Sequence, residues 1–493
     1  MINFLFFLKK YNLHNKILTL IMNDIEKKFN KRYPTWLSIF IHSLRDNDED
    51  FTSAPLKIAL PLLAIPMMIE LSMEAIFAVV DITFVSFLGT DAVAAVGITE
   101  ALITVVYAIC MGIGVTVTAM VARRIGANKP KEAAEITGQI IWIAGVISII
   151  IGLIGYSFAA DLLKLLGASN DVINIGTSYT AIIFGGSASI VYLFLLNAAF
   201  RGAGDASIAF KALALSNAIN IILDPCLIFG LGPFPELGIT GAAIATTIGR
   251  SMGVLYLAYT IFNANNRLQL SADDLIIRIK NIKIIIRTSL YGISQFLIST
   301  SSWLILIKII ALFGTAPVAA YTIAMRLMEF VWLPVWGLGN AAATLVGQNM
   351  GANQPKRAIR SVQLTMKYGL IFMVVIGVLQ FIFAHQIISL LSDDAEVIYY
   401  GVSCLRIIAI GYPALAIGMI IVQALNGAGD LKSPAIINFL CYWVIQIPLA
   451  YWLSTNTALE VNGVFIGLLI AEITLTIMAY IVFKKGYWQK ISI

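Results

Sequence analysis

Charge is what this sequence has least of. Only 12% of its 493 residues are charged, 59% are hydrophobic and the mean hydropathy is +0.88, far from the roughly 45–50% apolar and about 25% charged mix of a soluble domain. A soluble globular protein is excluded, and the chain reads as a polytopic membrane protein. Histidine is scarcer still: His14, His42 and His385 are scattered, which leaves no material for a histidine-based metal or nucleophilic centre. The four cysteines, Cys110, Cys226, Cys404 and Cys441, sit singly in apolar segments with no CxxC, the usage of small core residues rather than of zinc ligands. The net charge of +6 does not imply nucleic-acid binding, because the basic residues fall in short links and no basic-aromatic domain exists to hold a strand. No cofactor is expected, and no enzymatic activity.

What the sequence has in abundance is apolar runs near 20 residues, the length that crosses about 30 Å of hydrocarbon. There are twelve, near 56–88, 92–122, 132–158, 171–199, 206–230, 238–262, 284–312, 317–346, 357–384, 396–424, 433–453 and 461–483. Several exceed the minimum, so tilted or broken helices are expected. Lys and Arg are retained on the cytoplasmic side. The even-numbered junctions carry Arg123, Arg124, Lys129 and Lys131, then Arg201 and Lys211, then Arg267 to Arg287, Lys356 to Arg360, Lys432, and Lys484 with Lys485; the odd ones carry only Lys164. Both termini are therefore expected in the cytoplasm, with the protein in the plasma membrane, the inner one in a Gram-negative cell. The N-terminal run precedes Lys9 and Lys10, the reverse of a secretory signal. It reads as an amphipathic surface helix, with a start at Met22 as an alternative.

The chain also repeats itself. GTDAVAAVGI at 89–98 returns as GTAPVAAYTI at 314–323, VARRIGANKPKEA at 121–133 as VGQNMGANQPKRA at 346–358, and RGAGD at 201–205 as NGAGD at 426–430, each displaced by 225 positions. Six spans per half is an even number, so the halves enter from one side and are related by an axis along the membrane normal. The expectation is an all-α integral membrane protein of twelve transmembrane helices in two parallel-repeat six-helix lobes. Its parts are an N-terminal extension (1–54), an N-lobe (55–262), a cytoplasmic linker (263–283), a C-lobe (284–485) and a tail (486–493). GANKPK and GANQPK read as tight turns, glycine permitting a helix C-cap and proline starting the next helix. RGAGD and NGAGD lack the strand and the GKS/T ending of a phosphate loop, so Asp205 and Asp430 are read as helix caps.

Ionisable residues at membrane depth are functional candidates because Asp costs about 2.5–3.5 kcal/mol there even on the gentlest scales. Glu70, Glu74 and Asp81 are spaced by four and seven, one face of the first span. Asn217, Asn220 and Asp224, spaced by three and four, form a stripe on the fifth, followed by Pro225, which frees backbone carbonyls. Two carboxylates with an amide and a hydroxyl suit a hard cation, or a carboxylate pair sharing a proton. Purely structural hydrogen bonding between the two helices is the plain alternative. Glu70 and Glu74 lie nearer the cytoplasmic start and read equally well as water-exposed vestibule residues. Arg326 and Glu329 are expected to pair with each other, and Lys308 and Arg250 with Glu472 are candidate interlobe pairs. Phe77, one turn from Asp81, is the first choice for a substrate-facing side chain, followed by Tyr179, Tyr192 and Met73.

The architecture, VDITFVSFLGTDAVAAVG, the paired GANxPK turns, FRGAGD followed by NAINIILDP, and GITGAAIATTIGR together resemble the multidrug and toxic compound extrusion (MATE) family over roughly residues 55–485. The resemblance implies export of small cationic or amphipathic compounds in exchange for inward Na+ or H+. In the branch with an N-lobe cation site it implies a coupling site at the positions of Asp81, Asn220, Asp224 and Thr246, with Na+ a candidate ion at the first three. The other branch's acids on the seventh and tenth spans are missing: Gln295 and Ser299 stand at the repeat positions of Glu70 and Glu74. The expected function is a monomeric secondary active antiporter with alternating access between lobes. A lipid-linked intermediate flippase of similar plan is the alternative, which would favour a broad cationic cavity, and a membrane-embedded lipid-modifying enzyme a more distant one.

Overall fold

The structure is a computed structural model describing residues 33, 35–45, 49–263, 266–491 and 493. The N-terminal surface helix and the alternative start at Met22 lie outside the described residues. Twelve spans follow a short helix, Trp36–Ser43. Those of the first lobe are Leu56–Ser86, Thr90–Gly126, Pro130–Ser157, a broken fourth of Asn170–Gly185 and Ser187–Ala203, Ala206–Phe229 and Ile239–Asn263. Those of the second are Ile279–Ile310, Thr315–Gly351, Pro355–Ser389, Ala395–Gly427, an eleventh running from Lys432 to Asn456, and Val461–Lys485. Ten helices among the described residues are long and apolar enough to cross a bilayer, and the broken fourth counts as an eleventh. The sixth span, 25 residues long, completes the twelve; Arg250 and several threonines and glycines lower its hydropathy.

Two irregularities have identifiable causes. The fourth span bends by 41° at Gly186, where an added Cβ would fall 2.5 Å from Thr247 Cγ2, so the bend lets the sixth span approach. The eleventh opens into a π-helical stretch at Phe439–Gln446, a wide turn of the kind that interrupts α-helices at packed sites. The third and ninth spans show aliphatic faces to the outside, with Leu153 65% and Ile382 57% exposed. Residues of this kind belong against lipid chains.

The paired turns correct the expected role of their glycines. It is Asn128 (φ 59°) and Asn353 (φ 58°) that take the left-handed conformation, with Pro130 and Pro355 starting the next helices. Gly126 and Gly351 serve the seam between lobes instead. A Cβ on Gly126 would lie 1.9 Å from Gln348 O, and one on Gly351 2.0 Å from Arg123 O. Arg123 and Gln348 are themselves 225 positions apart, so the contact is reciprocal about the pseudo-twofold axis. The crossing deeper in repeats the pattern: Gly112 would meet Ile293 N at 2.3 Å, and Gly337, its repeat partner, Met67 O at 2.7 Å. Second packs on seventh and first on eighth. Thr344 Oγ1 donates to Arg201 O (3.0 Å), Gln348 Nε2 to Gly202 O (3.1 Å) and Arg123 Nη1 to Ala428 O (3.1 Å).

All of these contacts lie toward the end of the molecule that carries the basic junctions. One buried cluster there mixes both lobes, joining Leu60, Leu63 and Met67 to Leu345, Val346 and Leu425. A second cluster runs the length of the N-lobe and takes in Ile285 of the seventh span, and a third lies wholly within the C-lobe. Of the two predicted caps, Asp430 accepts from Ser433 N (3.1 Å) and Oγ (2.7 Å), whereas Asp205 makes no capping bond and lies 3.9 Å from Arg267.

Backbone contact at the seam predicts steep intolerance. Gly112→Val is expected to cost about 1–3 kcal/mol by overpacking, while Gly97→Ala on the same helix, with nothing within 4 Å, is expected to be neutral. Thermal unfolding of the purified variants checks the difference, and equal midpoints would refute the seam geometry.

Candidate functional site

The two predicted stripes meet. Asp224 is fully buried, and Asp81, Asn220 and Thr246 are nearly so. Asn220 Nδ2 donates to Asp224 Oδ1 and to Thr246 Oγ1, each at 3.2 Å, and Thr246 lies within electrostatic reach of the Asp81 carboxylate. The two carboxylates are near enough to interact electrostatically. Helical spacing explains the convergence: Asn220 and Asp224 are one turn apart on the fifth span, and Thr246 faces them from the sixth, which packs along it. Asp81 Oδ1, Asn220 Oδ1 and Asp224 Oδ2 have no hydrogen-bond partner. Each is a buried acceptor oxygen left unsatisfied, an arrangement that costs free energy. Among the described residues no three His, Cys, Asp or Glu side chains converge.

The other acids of the first span are already answered from within the lobe. Glu70 is 2% exposed and is bonded by Arg201 Nη1 (2.6 Å) and Asn197 Nδ2 (3.3 Å) of the fourth span. The water exposure expected of Glu70 is thus corrected: it is a buried ion-pair member, and it lines the cavity between the lobes. Glu74 faces Arg250 at 3.8 Å. The Arg250 guanidinium lies over the Phe77 ring (5.4 Å) and donates to Tyr107 Oη (2.8 Å). Arg250 therefore does not reach Glu472 in the opposite lobe; Glu472 accepts from Tyr442 Oη (3.0 Å). Lys308 is exposed in the last turn of the seventh span. Arg326 is within electrostatic reach of Glu329 and, across the lobes, of Glu100, but the ion pair expected between Arg326 and Glu329 is not closed.

The remaining candidates divide. Tyr179 is buried and within electrostatic reach of Asp81, Glu100 and Arg250. Asn217 donates to the Met73 carbonyl (3.2 Å), a clamp between first and fifth spans that involves only the backbone of Met73. Tyr192 is elsewhere: its hydroxyl donates to Ile141 O (3.0 Å) and ties the fourth span to the third.

Between the lobes lies a cavity lined by Glu70, Glu74, Asn197 and Arg201 on one side and by Trp336, Asn340 and Gln423 on the other. The C-lobe wall is a chain of amides. Gln423 Nε2 donates to Asn340 Oδ1 (2.7 Å), Asn426 Nδ2 to Gln423 Oε1 (3.0 Å), and Asn426 and Gln295 exchange bonds at 3.2 Å. Gln295 and Asn426 are the repeat partners of Glu70 and Arg201, so an ion pair in one lobe is an amide pair in the other. Arg201, read from the sequence only as a topology signal, could have been found from that joint replacement.

A family model, MatE, matches residues 66–226 and 292–452, one stretch in each lobe. The probable multidrug resistance protein YoeA of Bacillus subtilis is 26% identical over 437 residues, covering 87% of this chain and 93% of that protein. An FAD transporter of Shewanella oneidensis is 27% identical over 429 residues, covering 87% and 94%. Among solved structures, an outward-facing multidrug resistance MATE family transporter of the MOP superfamily superposes with a TM-score of 0.83 at 24% identity, covering 90% of this chain and 98% of that one. A MOP superfamily transporter from Pyrococcus furiosus gives 0.84 at 25%, covering 91% and 100%.

Removing one partner of a buried ion pair strands the other charge. Arg201→Gln is therefore expected to destabilise the protein by about 3–5 kcal/mol. Glu70→Gln with Arg201→Asn, which copies the C-lobe pair, is expected to recover most of that loss. Thermal unfolding of the single and double variants in detergent checks both; a double variant as unstable as the single one would refute the pairing.

Proposed function

Because the chain belongs to the MatE family, whose members are multi-pass membrane transporters and not enzymes, we propose that it is a secondary active exporter of small cationic or amphipathic organic compounds. Its driving force is the inward flow of Na+ or H+ through the Asp81–Asn220–Asp224–Thr246 site. The observation that carries this reading is the set of open oxygens, Asp81 Oδ1, Asn220 Oδ1 and Asp224 Oδ2. Every other acid of the first span has an arginine opposite it. A bound cation or proton answers the open pair, and its loss leaves two neighbouring carboxylates that repel. Occupancy of the site thus biases the lobe between two electrostatic states, and the linkage is reciprocal: whatever favours ion loss from this lobe is itself bound more tightly when the ion leaves.

The direction follows from topology. With the basic junctions in the cytoplasm, the seam at that end is closed inward and the conformation is the outward-facing one, with both termini cytoplasmic in the plasma membrane. Rocking of the lobes about the second–seventh and first–eighth crossings gives alternating access. A monomer suffices, since both lobes and the cavity between them come from one chain. The flippase alternative would want uncovered positive charge in the cavity for a pyrophosphate group. Arg201, which lines it, and Arg250 behind Glu74 are each matched by a glutamate, which weighs against that reading.

Efflux of a fluorescent organic cation from vesicles under separately imposed Na+ and H+ gradients tests the proposal. Asp81→Asn and Asp224→Asn are each expected to lower gradient-driven efflux at least tenfold, and Thr246→Ala several-fold. Undiminished efflux by both aspartate variants would sink the coupling site, and wild-type efflux indifferent to either gradient would sink antiport itself.

A further inference from the structure

The segment leading into each lobe's first helix docks on the other lobe. Residues 272–278, which precede the seventh span, lie against the third span of the N-lobe. Gln139 Nε2 donates to Ile276 O (2.9 Å), Gln139 Oε1 accepts from Arg278 N (2.7 Å), Trp142 Nε1 donates to Leu275 O (2.8 Å), and Arg278 pairs with Glu135. A Cβ on Gly138 would fall 2.1 Å from Asp274 O. Residues 49–54, which precede the first span, are gripped by the ninth span, the C-lobe's counterpart of the third. Arg357 Nη2 donates to Phe51 O (3.1 Å) and to the Ala54 carbonyl.

The correspondence extends to single atoms. Phe51 and Ile276, whose carbonyls are held, are 225 positions apart. So are Glu49 and Asp274: Arg267 donates to the Glu49 carbonyl and Gln139 reaches the Asp274 carbonyl at 3.5 Å. The two straps cross at the basic end, each tying its own lobe to the other. Their strengths differ. The 272–278 strap is held by three side chains of the third span, whereas the described polar grip of the ninth span on the 49–54 strap comes from Arg357 alone. The rest of that grip is apolar: Phe51 is 1% exposed, in one cluster with Ala358 and Val362 of the ninth span; from the side of its own lobe, Arg267 lies over its ring at 5.3 Å.

We infer that the 49–54 strap is the releasable latch of the basic end, with Arg357 and Phe51 as its positioning residues, and that the 272–278 strap is the tether that stays docked while the lobes part. This rests on the rocking of two lobes proposed above. The mechanical logic is that a bridge between moving lobes has to let go somewhere, and it lets go where one guanidinium holds two carbonyls rather than where several bonds act together. Opening at the basic end then needs Phe51 to leave its pocket and Arg357 to exchange peptide oxygens for water, a change that costs little once solvent enters.

Cysteine accessibility in the full-length protein tests the latch. Cys110 is buried and lines the interlobe cavity; with Cys226, Cys404 and Cys441 changed to alanine it is the single reporter for a membrane-impermeant maleimide. Lys129→Cys, made separately, marks which vesicle orientation presents the basic end. From that side, Arg357→Ala and Phe51→Ala are expected to raise the labelling rate of Cys110 at least fivefold, with Arg357→Lys between them and the parent, and Trp142→Ala within twofold of the parent. Unchanged labelling in both Arg357→Lys and Phe51→Ala, or a rise in Trp142→Ala as large as theirs, would overturn the assignment. Labelling needs neither gradient nor substrate, so failure of the antiport reading would show in the efflux assay alone.

Discussion

A carboxylate inside a bilayer has to be answered by a positive charge, a proton or an ion, because hydrocarbon offers no water to spread its charge. The N-lobe is organised around that constraint. Its first span brings three acids inward on one face; two meet arginines from neighbouring helices, while the third meets a second aspartate, an amide and a hydroxyl. On the first span, Asp81 is thus the one acid without an arginine in ion-pair contact. Arg250, lying against Glu74, Tyr107 and the Phe77 ring, is also within electrostatic reach of Asp81.

The C-lobe solves the same packing problem without charge. Where the N-lobe has Glu70 with Arg201, it has Gln295 with Asn426, and where the N-lobe has Asp81 and Asp224 it has Leu306 and Leu449. Two halves with one backbone plan therefore differ in what they can respond to. In the proposed coupling the ion acts on one lobe, and the other supplies a hydrogen-bonded wall for it to move against. What joins them is backbone contact at glycines, reciprocal about the pseudo-twofold axis, so a rearrangement in the N-lobe is delivered to the seam with little side-chain slack between.

Much of the plan is legible in the chain. Span number follows from hydrophobic length, the two lobes from the constant offset, and the meeting of Asp81 with Asn220, Asp224 and Thr246 from helical spacing together with the family resemblance. The misreadings share a cause. Glu70 looked water-exposed and Arg201 like a topology marker because their partnership spans more than a hundred residues, and Tyr192 looked like a substrate contact because one helix face resembles another until its neighbour is known. Gly126 and Gly351 looked like caps because the neighbouring asparagines, which take the left-handed turn, are the less usual choice.

The sequence by itself determined which residues form helices, how many cross the membrane, which faces carry acids and that the chain is two copies of one unit, since each of these depends on spacing along a single helix or on comparison of the chain with itself. Tertiary structure alone decided which arginine answers which acid, which oxygens remain open, where the lobes touch and that the leading straps cross between them. Those are contacts between helices, and their energies depend on distances of a few ångströms across elements whose rotation and depth no local pattern specifies.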